Sequence, residues 1–155
     1  MPESHKLTDD DVINFVESLK PVAMQAMFSK MGFAEVSQAL QHLATLSPNL
    51  IIPQVVERMY ATLETLTEPH KLTAAMQCLV AVARPMVQGS YKEGITHVIP
   101  LLMSTLPGID PNDIKKCFVT FQFISTFTSL VPIVDSSSAS KYWNDLTEVC
   151  QIKYY

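Results

Sequence analysis

Apolar side chains recur at helical spacing along almost the whole chain. Val12, Ile13, Phe15, Val16 and Leu19 open the series, and Met24, Met27 and Phe28 extend it. Val36, Ala39, Leu40, Leu43 and Leu46 form a second stripe. Ile52, Val55, Val56, Met59, Leu63 and Leu66 form a third, with Glu57, Arg58 and Glu64 placed for solvent. Leu72, Ala75, Met76, Leu79, Val80 and Ala83 form a fourth. Steps of three and four residues put side chains on one face of a helix. No stretch alternates with period two, so no strand is predicted and the chain reads as all-α.

Capping and breaking residues divide these stripes. Thr8 suits an N-cap, and Asp9, Asp10 and Asp11 suit the positive end of a helix. Pro21 should end or kink that first helix, with 22–30 continuing helically up to Gly32. A helix is predicted over 33–46, and a turn at Ser47-Pro48-Asn49. The next runs over about 51–66, with Pro53 tolerated in its first turn. Thr67-Glu68-Pro69 closes the hairpin, and a helix over about 70–88 should kink or stop early at Pro85. A loop at 89–94 leads to a short helix over 95–106 containing Pro100. After a turn at 107–111, Asp110 is the expected N-cap of a long helix reaching about Val131. Ser136-Ser137-Ser138 reads as a break, and Trp143, Leu146 and Val149 suit a last helix over 141–152.

The middle of the chain repeats itself. Ile52-Pro53 recurs as Ile99-Pro100 and Pro85-Met86-Val87 as Pro132-Ile133-Val134, each 47 residues later (53 to 100, 85 to 132). At that offset Ile51 falls on Val98, Val55 on Leu102, Val56 on Met103 and Met59 on Leu106. Leu72 falls on Val119, Met76 on Phe123, Val80 on Phe127 and Ala83 on Leu130. The turn inside each pair slides, which predicts a shorter first helix and a longer second helix in the later copy. A period in the forties with two helices per period is the signature of HEAT-type repeats. The predicted fold is an α-solenoid of about six to eight helices without a sheet. Residues 1–135 would form the repeat segment, clearest at 50–88 and 95–134, and 136–155 a polar break and short helix.

Composition sharpens this. The 155 residues are 48% hydrophobic and only 17% charged, with net charge −4. So low a charge fraction suits a piece of a stacked array, whose ends meet neighbouring repeats. The acidic balance argues against direct nucleic-acid binding, which needs a basic face. Residues 117–134 carry no charge over 18 positions, but Thr120, Gln122, Ser125, Thr126, Thr128, Ser129 and Pro132 make the stretch costly in lipid. A helix buried between repeats is the better reading, and no membrane partner is expected. The polar start, 1–11, does not read as a signal peptide. Cys78, Cys117 and Cys150 are odd in number and lack metal-ligand spacing, so a reducing compartment is expected.

Catalytic, cofactor and metal signatures are missing from the sequence. There is no nucleotide loop, His-Glu-x-x-His, Cys-x-x-Cys or glycine-flanked nucleophile. Asp9-Asp10-Asp11 lacks the alternate ligands, central Gly and final Glu of a calcium loop and reads as capping. His5, His42, His70 and His97 are isolated, and Glu57, Glu64, Glu68 and Glu93 have no mutual spacing that suggests a carboxylate pair. Lys115-Lys116 reads as a solvated face and the eight methionines as core filling. We therefore assign no catalytic, cofactor-binding or metal-binding residue, and expect a non-enzymatic binding scaffold.

Four strings carry a family resemblance: 28–33 (FSKMGF), 63–73 (LETLTEPHKLT), 106–113 (LPGIDPND) and 119–124 (VTFQFI), with a weaker one at 144–149 (NDLTEV). From Phe28 onward the chain resembles the proteasome activator complex subunit 4 family, large single-chain HEAT-repeat activators of the proteasome core particle. The resemblance implies an internal part of a hollow solenoid dome. Such a dome caps the core particle, opens its gate and promotes ubiquitin-independent degradation. It also implies links to acetylated histones, DNA repair and spermatogenesis, and residence in nucleus and cytoplasm. The family docks through a terminal hydrophobic–tyrosine–any motif. Here Tyr154 fits but Lys153 occupies the hydrophobic position, and 150–155 leave the family pattern. The acetyl-lysine-binding region has no counterpart. This predicts a truncated or alternatively ended product, or a partial gene model, unable to activate alone.

Overall fold

The computed structural model describes residues 6–29, 32–64 and 69–131. These form six α-helices and two 3-10 turns, with no strand among the described residues. The helices are α1 (Asp9–Ala26), α2 (Phe33–Leu46), α3 (Pro48–Glu64), α4 (Pro69–Gln88), α5 (Val98–Thr105) and α6 (Ile114–Leu130). The expected helix at 141–152, the break at 136–138, the residues 132–134 that complete the second repeat, and most of the turn at 67–69 lie outside the described residues.

The even helices stack in the order α2, α4, α6. The odd helices lie against them: α1 on α2 and α3, α3 on α2 and α4, and α5 on α6. Stacked helix pairs burying one continuous core make the chain an all-α solenoid. Its centre is α4, where Leu72, Ala75, Met76, Cys78, Leu79, Val82, Ala83 and Met86 are buried. A helix that is apolar nearly all round must be covered nearly all round, and α2, α3 and α6 cover it.

Prolines interrupt less than their sequence positions predict. Pro21 lies inside an unbroken α1 and Pro85 inside an unbroken α4. Each removes one backbone bond, a cost of about 3 kcal/mol or more. Burial on the far side of each compensates: Ala23, Met24 and Met27 beyond Pro21, Met86 beyond Pro85. Helix α3 begins at Pro48 rather than 51, because Pro at the first helical position is already set to helical φ. Ser47 is then the whole connection from α2, and Pro53 lies in the second turn, not the first. Pro100, in the first turn of α5, gives up no helical bond.

The two repeat copies differ as anticipated at their first helices, with 17 residues in α3 and 8 in α5. The second helix is not lengthened: α6 has 17 residues against 20 in α4. The slack forms a turn instead. Asp113, not Asp110, caps α6, accepting from the Lys116 amide at 2.9 Å. Asp110 accepts from the Asn112 amide at 2.9 Å and so shapes the turn before the helix. Position 113 immediately precedes the unpaired first-turn amides of α6, where a carboxylate cap is effective.

Three contacts position the helix ends and turns. Thr8 and Asp11 form a reciprocal capping box. Arg58 of α3 was expected in solvent, but its Nη1 donates to the Met24 carbonyl at 3.0 Å. The last turn of α1 contains no basic residue, so a neighbouring helix supplies the cation its negative end favours. Gly94 is buried against α4, where a Cβ would strike the Met86 carbonyl. That contact sets the approach of the Gly94–His97 turn to α4.

Candidate interaction surfaces

No catalytic constellation forms among the described residues. No three His, Cys, Asp or Glu side chains converge as metal ligands there. The Asp11 carboxylate accepts from the Thr8 amide (2.9 Å) and hydroxyl (2.7 Å), and these bonds hold its pKa below the usual carboxylate value. Asp11 is therefore a cap. Cys78 is buried on α4 with Ser37 Oγ at 3.9 Å, and burial pushes its thiol up to about 11. Such a thiol is a small core hydrophobe, not a nucleophile. Cys117 is half-buried and its Sγ donates to the Asp110 carbonyl at 2.9 Å. Met24, Met27, Met59, Met76 and Met86 fill the core, whereas Met103 is exposed. Every buried side-chain nitrogen and oxygen among the described residues has a partner. Thr62 and Thr120, for example, bond back to the Met59 and Lys116 carbonyls.

Three surfaces stand out. The first is an apolar groove of about 430 Å³ between α1 and α2, lined by Phe15, Leu19, Val22, Val36 and Leu46. Ile13, Phe15 and Leu19 were read as the inward stripe of α1, yet all three are exposed and Val16 alone of that stripe is fully buried. The second is the outer face of α6, where Ile114 is 83% exposed, Phe118 69% and Phe121 56%. The expectation of a helix buried between repeats holds on one side only. Val119, Thr120, Phe123 and Phe127 meet the core, with the Phe123 and Phe127 rings 4.7 Å apart. No described helix is long and apolar enough to cross a membrane.

The third surface is a cleft of about 480 Å³ between α3 and the residues leading into α5. Glu57, Tyr60 and Glu64 line it from α3, and Tyr91 and His97 from the following repeat. Tyr60 Oη lies 3.3 Å from His97 Nδ1, and their rings sit 5.9 Å apart at 59°. Tyr91 donates to Glu93 at 3.4 Å. Burial raises the pKa of both phenols, and Glu93 raises that of Tyr91 further. Sequence reading missed this group because it sought carboxylates paired with each other. The available signal was the step 57–60–64, which puts two carboxylates and a phenol on one helix face. His42 lines the first groove, while His5 lies outside the described residues.

A two-layer stack of helix pairs with open surfaces to dock on defines a HEAT-type scaffold. Residues 1–152 match the family described as "Proteasome activator complex subunit 4, mid HEAT repeats region", and the chain belongs to that family. It is 57% identical over 151 residues to "Proteasome activator complex subunit 4" of Homo sapiens and 56% identical to "Proteasome activator complex subunit 4B" of Danio rerio. Each alignment covers 96% of this chain and 8% of the relative. A more distant relative, "Proteasome activator subunit 4" of Arabidopsis thaliana, is 28% identical over 117 residues, 66% of this chain and 6% of its own length. The chain thus spans about 8% of the length of its animal relatives.

Proposed function

We propose that this chain works as a non-catalytic HEAT-repeat segment of a proteasome activator. The family match over residues 1–152 carries this reading. The whole activator would cap the proteasome core particle, open its gate and promote ubiquitin-independent degradation. This segment would contribute one stretch of its stacked wall. The uncovered apolar faces of α1 and α6 support that role, because each suits the flank of a further repeat. Acetylated histones, DNA repair, spermatogenesis and residence in nucleus and cytoplasm belong to the same proposal. They would be properties of the intact activator. At about 8% of that length, the chain alone is not expected to stimulate peptide hydrolysis by purified core particles.

An antibody raised against a peptide covering 57–72 tests the reading on native gels of source cells. The expected signal is a proteasome-sized band that resolves to a very large chain after denaturation. Signal only at the size of this short chain, away from the proteasome, would replace the proposal with a general HEAT-repeat adaptor whose partners lie elsewhere.

A further inference from the structure

The cleft between α3 and the Gly94–His97 turn has a chemistry that the wall role does not use. Its polar lining is two glutamates, two tyrosines and a histidine, with no Lys or Arg. Glu57 and Glu64 are exposed, and neither forms an ion pair among the described residues. Between them lies Tyr60, half-buried and tied through its hydroxyl to His97. That bond, with the tilted ring contact, fixes the Tyr60 ring before any ligand arrives. A fixed aromatic wall flanked by unpaired carboxylates in an open cleft is an attractive place for a cation. The same sign of charge repels phosphate, so a nucleic acid is excluded as occupant.

We propose that this cleft binds the side chains of a basic peptide, arginine above all. A guanidinium is planar, so it stacks on a tyrosine face while its edge donates two parallel bonds to a carboxylate. Glu57 and Glu64 stand one turn to either side of Tyr60, seven residues apart, or roughly 10.5 Å along the helix. A peptide in the polyproline II conformation has three residues per turn and advances about 3.1 Å per residue, so arginines three residues apart share one face and stand about 9 Å apart. One arginine stacks on Tyr60 and pairs with one glutamate, and a second reaches the other glutamate. This site is independent of the proteasome reading: the binding experiment needs no core particle, and either proposal can fail alone.

The test is calorimetric titration of the full chain with the peptide amide acetyl-Arg-Ser-Gly-Arg. Saturable one-to-one binding is expected, weakening steeply as salt rises from 50 to 300 mM. The E57Q/E64Q double variant alters only exposed side chains and should keep the thermal midpoint while weakening binding by about tenfold or more. Tyr60→Leu should weaken it similarly, whereas Tyr60→Phe keeps the ring and should retain most of the affinity. A peptide with both arginines replaced by glutamine should not bind. Absence of saturable binding by the unmodified chain, equal affinity in E57Q/E64Q, or equal affinity for the glutamine peptide would overturn the assignment.

Discussion

The two repeat copies carry nearly the same apolar pattern and meet different fates. In the α3–α4 pair, Val56 and Met59 are buried, covered by the helices of the preceding pair and by α4. Their counterparts in the α5–α6 pair, Met103 and Leu106, are 63% and 45% exposed. The second helices agree better: Leu72 and Val119 are both buried, and so are Met76 and Phe123. The difference is position in the stack. Helix α4 has α2 on one side and α6 on the other, whereas α6 has α4 on one side and its Phe118–Phe121 face uncovered. Apolar periodicity therefore marks a face that can be covered, and the neighbours decide whether it is.

Mutations that separate the covered face from the uncovered one should show the largest effects. Phe123→Ala, in the α4–α6 seam, should lower the unfolding free energy by about 3–5 kcal/mol, read as a fall in denaturant midpoint. Phe118→Ala, five residues away on the same helix, should stay within about 0.5 kcal/mol. A Phe118→Ser/Phe121→Ser variant should leave the midpoint in place and reduce concentration-dependent association in sedimentation velocity runs, since it dilutes an exposed apolar patch. If Phe118→Ala proved as costly as Phe123→Ala, the contrast between the two faces of α6 would collapse.

The first helices permit a second pairing at equivalent repeat positions. Met59→Ala should cost about 2–5 kcal/mol and Met103→Ala about 0.5 kcal/mol or less in the same assay. Equal losses would mean that α5 is covered as well as α3 is. A smaller effect is expected at the turn that distinguishes the copies. Asp113→Ala should remove about 1 kcal/mol by stripping the cap from α6, and Asp110→Ala should remove less. The reverse order would restore Asp110 as the helix cap.

The gentlest probe is chemical. Cys78 on α4 should resist alkylation at pH 8 in the folded chain, while Cys117 reacts faster, as followed by mass spectrometry of each peptide. Because burial raises the folded pKa of Cys78 from 9.0 to about 11, the unfolded chain loses this proton first as pH rises. The contribution is therefore neutral below pH 9 and destabilising between about 9 and 11. Cys78→Ala should flatten that alkaline fall in thermal midpoint.

Local chemistry was legible in the chain itself. The stripes named α1 to α4 and the 47-residue repeat named α5 and α6, 33–46 was bounded correctly, and the Thr8 cap was readable because its partner lies three residues away. The strings at 28–33, 63–73, 106–113 and 119–124 pointed to the family that residues 1–152 match. The α6 cap, Asp113 in place of Asp110, is a local choice within one turn, but the other misread features share one cause. Pro21 and Pro85 break isolated helices, and only burial against neighbouring helices keeps α1 and α4 continuous. Arg58 faces solvent on a helical wheel, yet the end of α1 arrives beside it. Glu57 and Tyr60 were single letters until the following repeat delivered Tyr91 and His97 to the same cleft.

The sequence by itself determined the helices, their order, the Thr8 cap and the stripes that seek cover, because each depends on residues within about two turns of one another. The tertiary structure alone decided which stripes are covered, which prolines are tolerated and which polar groups meet across the stack. Those outcomes depend on contacts between residues tens of positions apart, and a periodic local pattern carries no term for them.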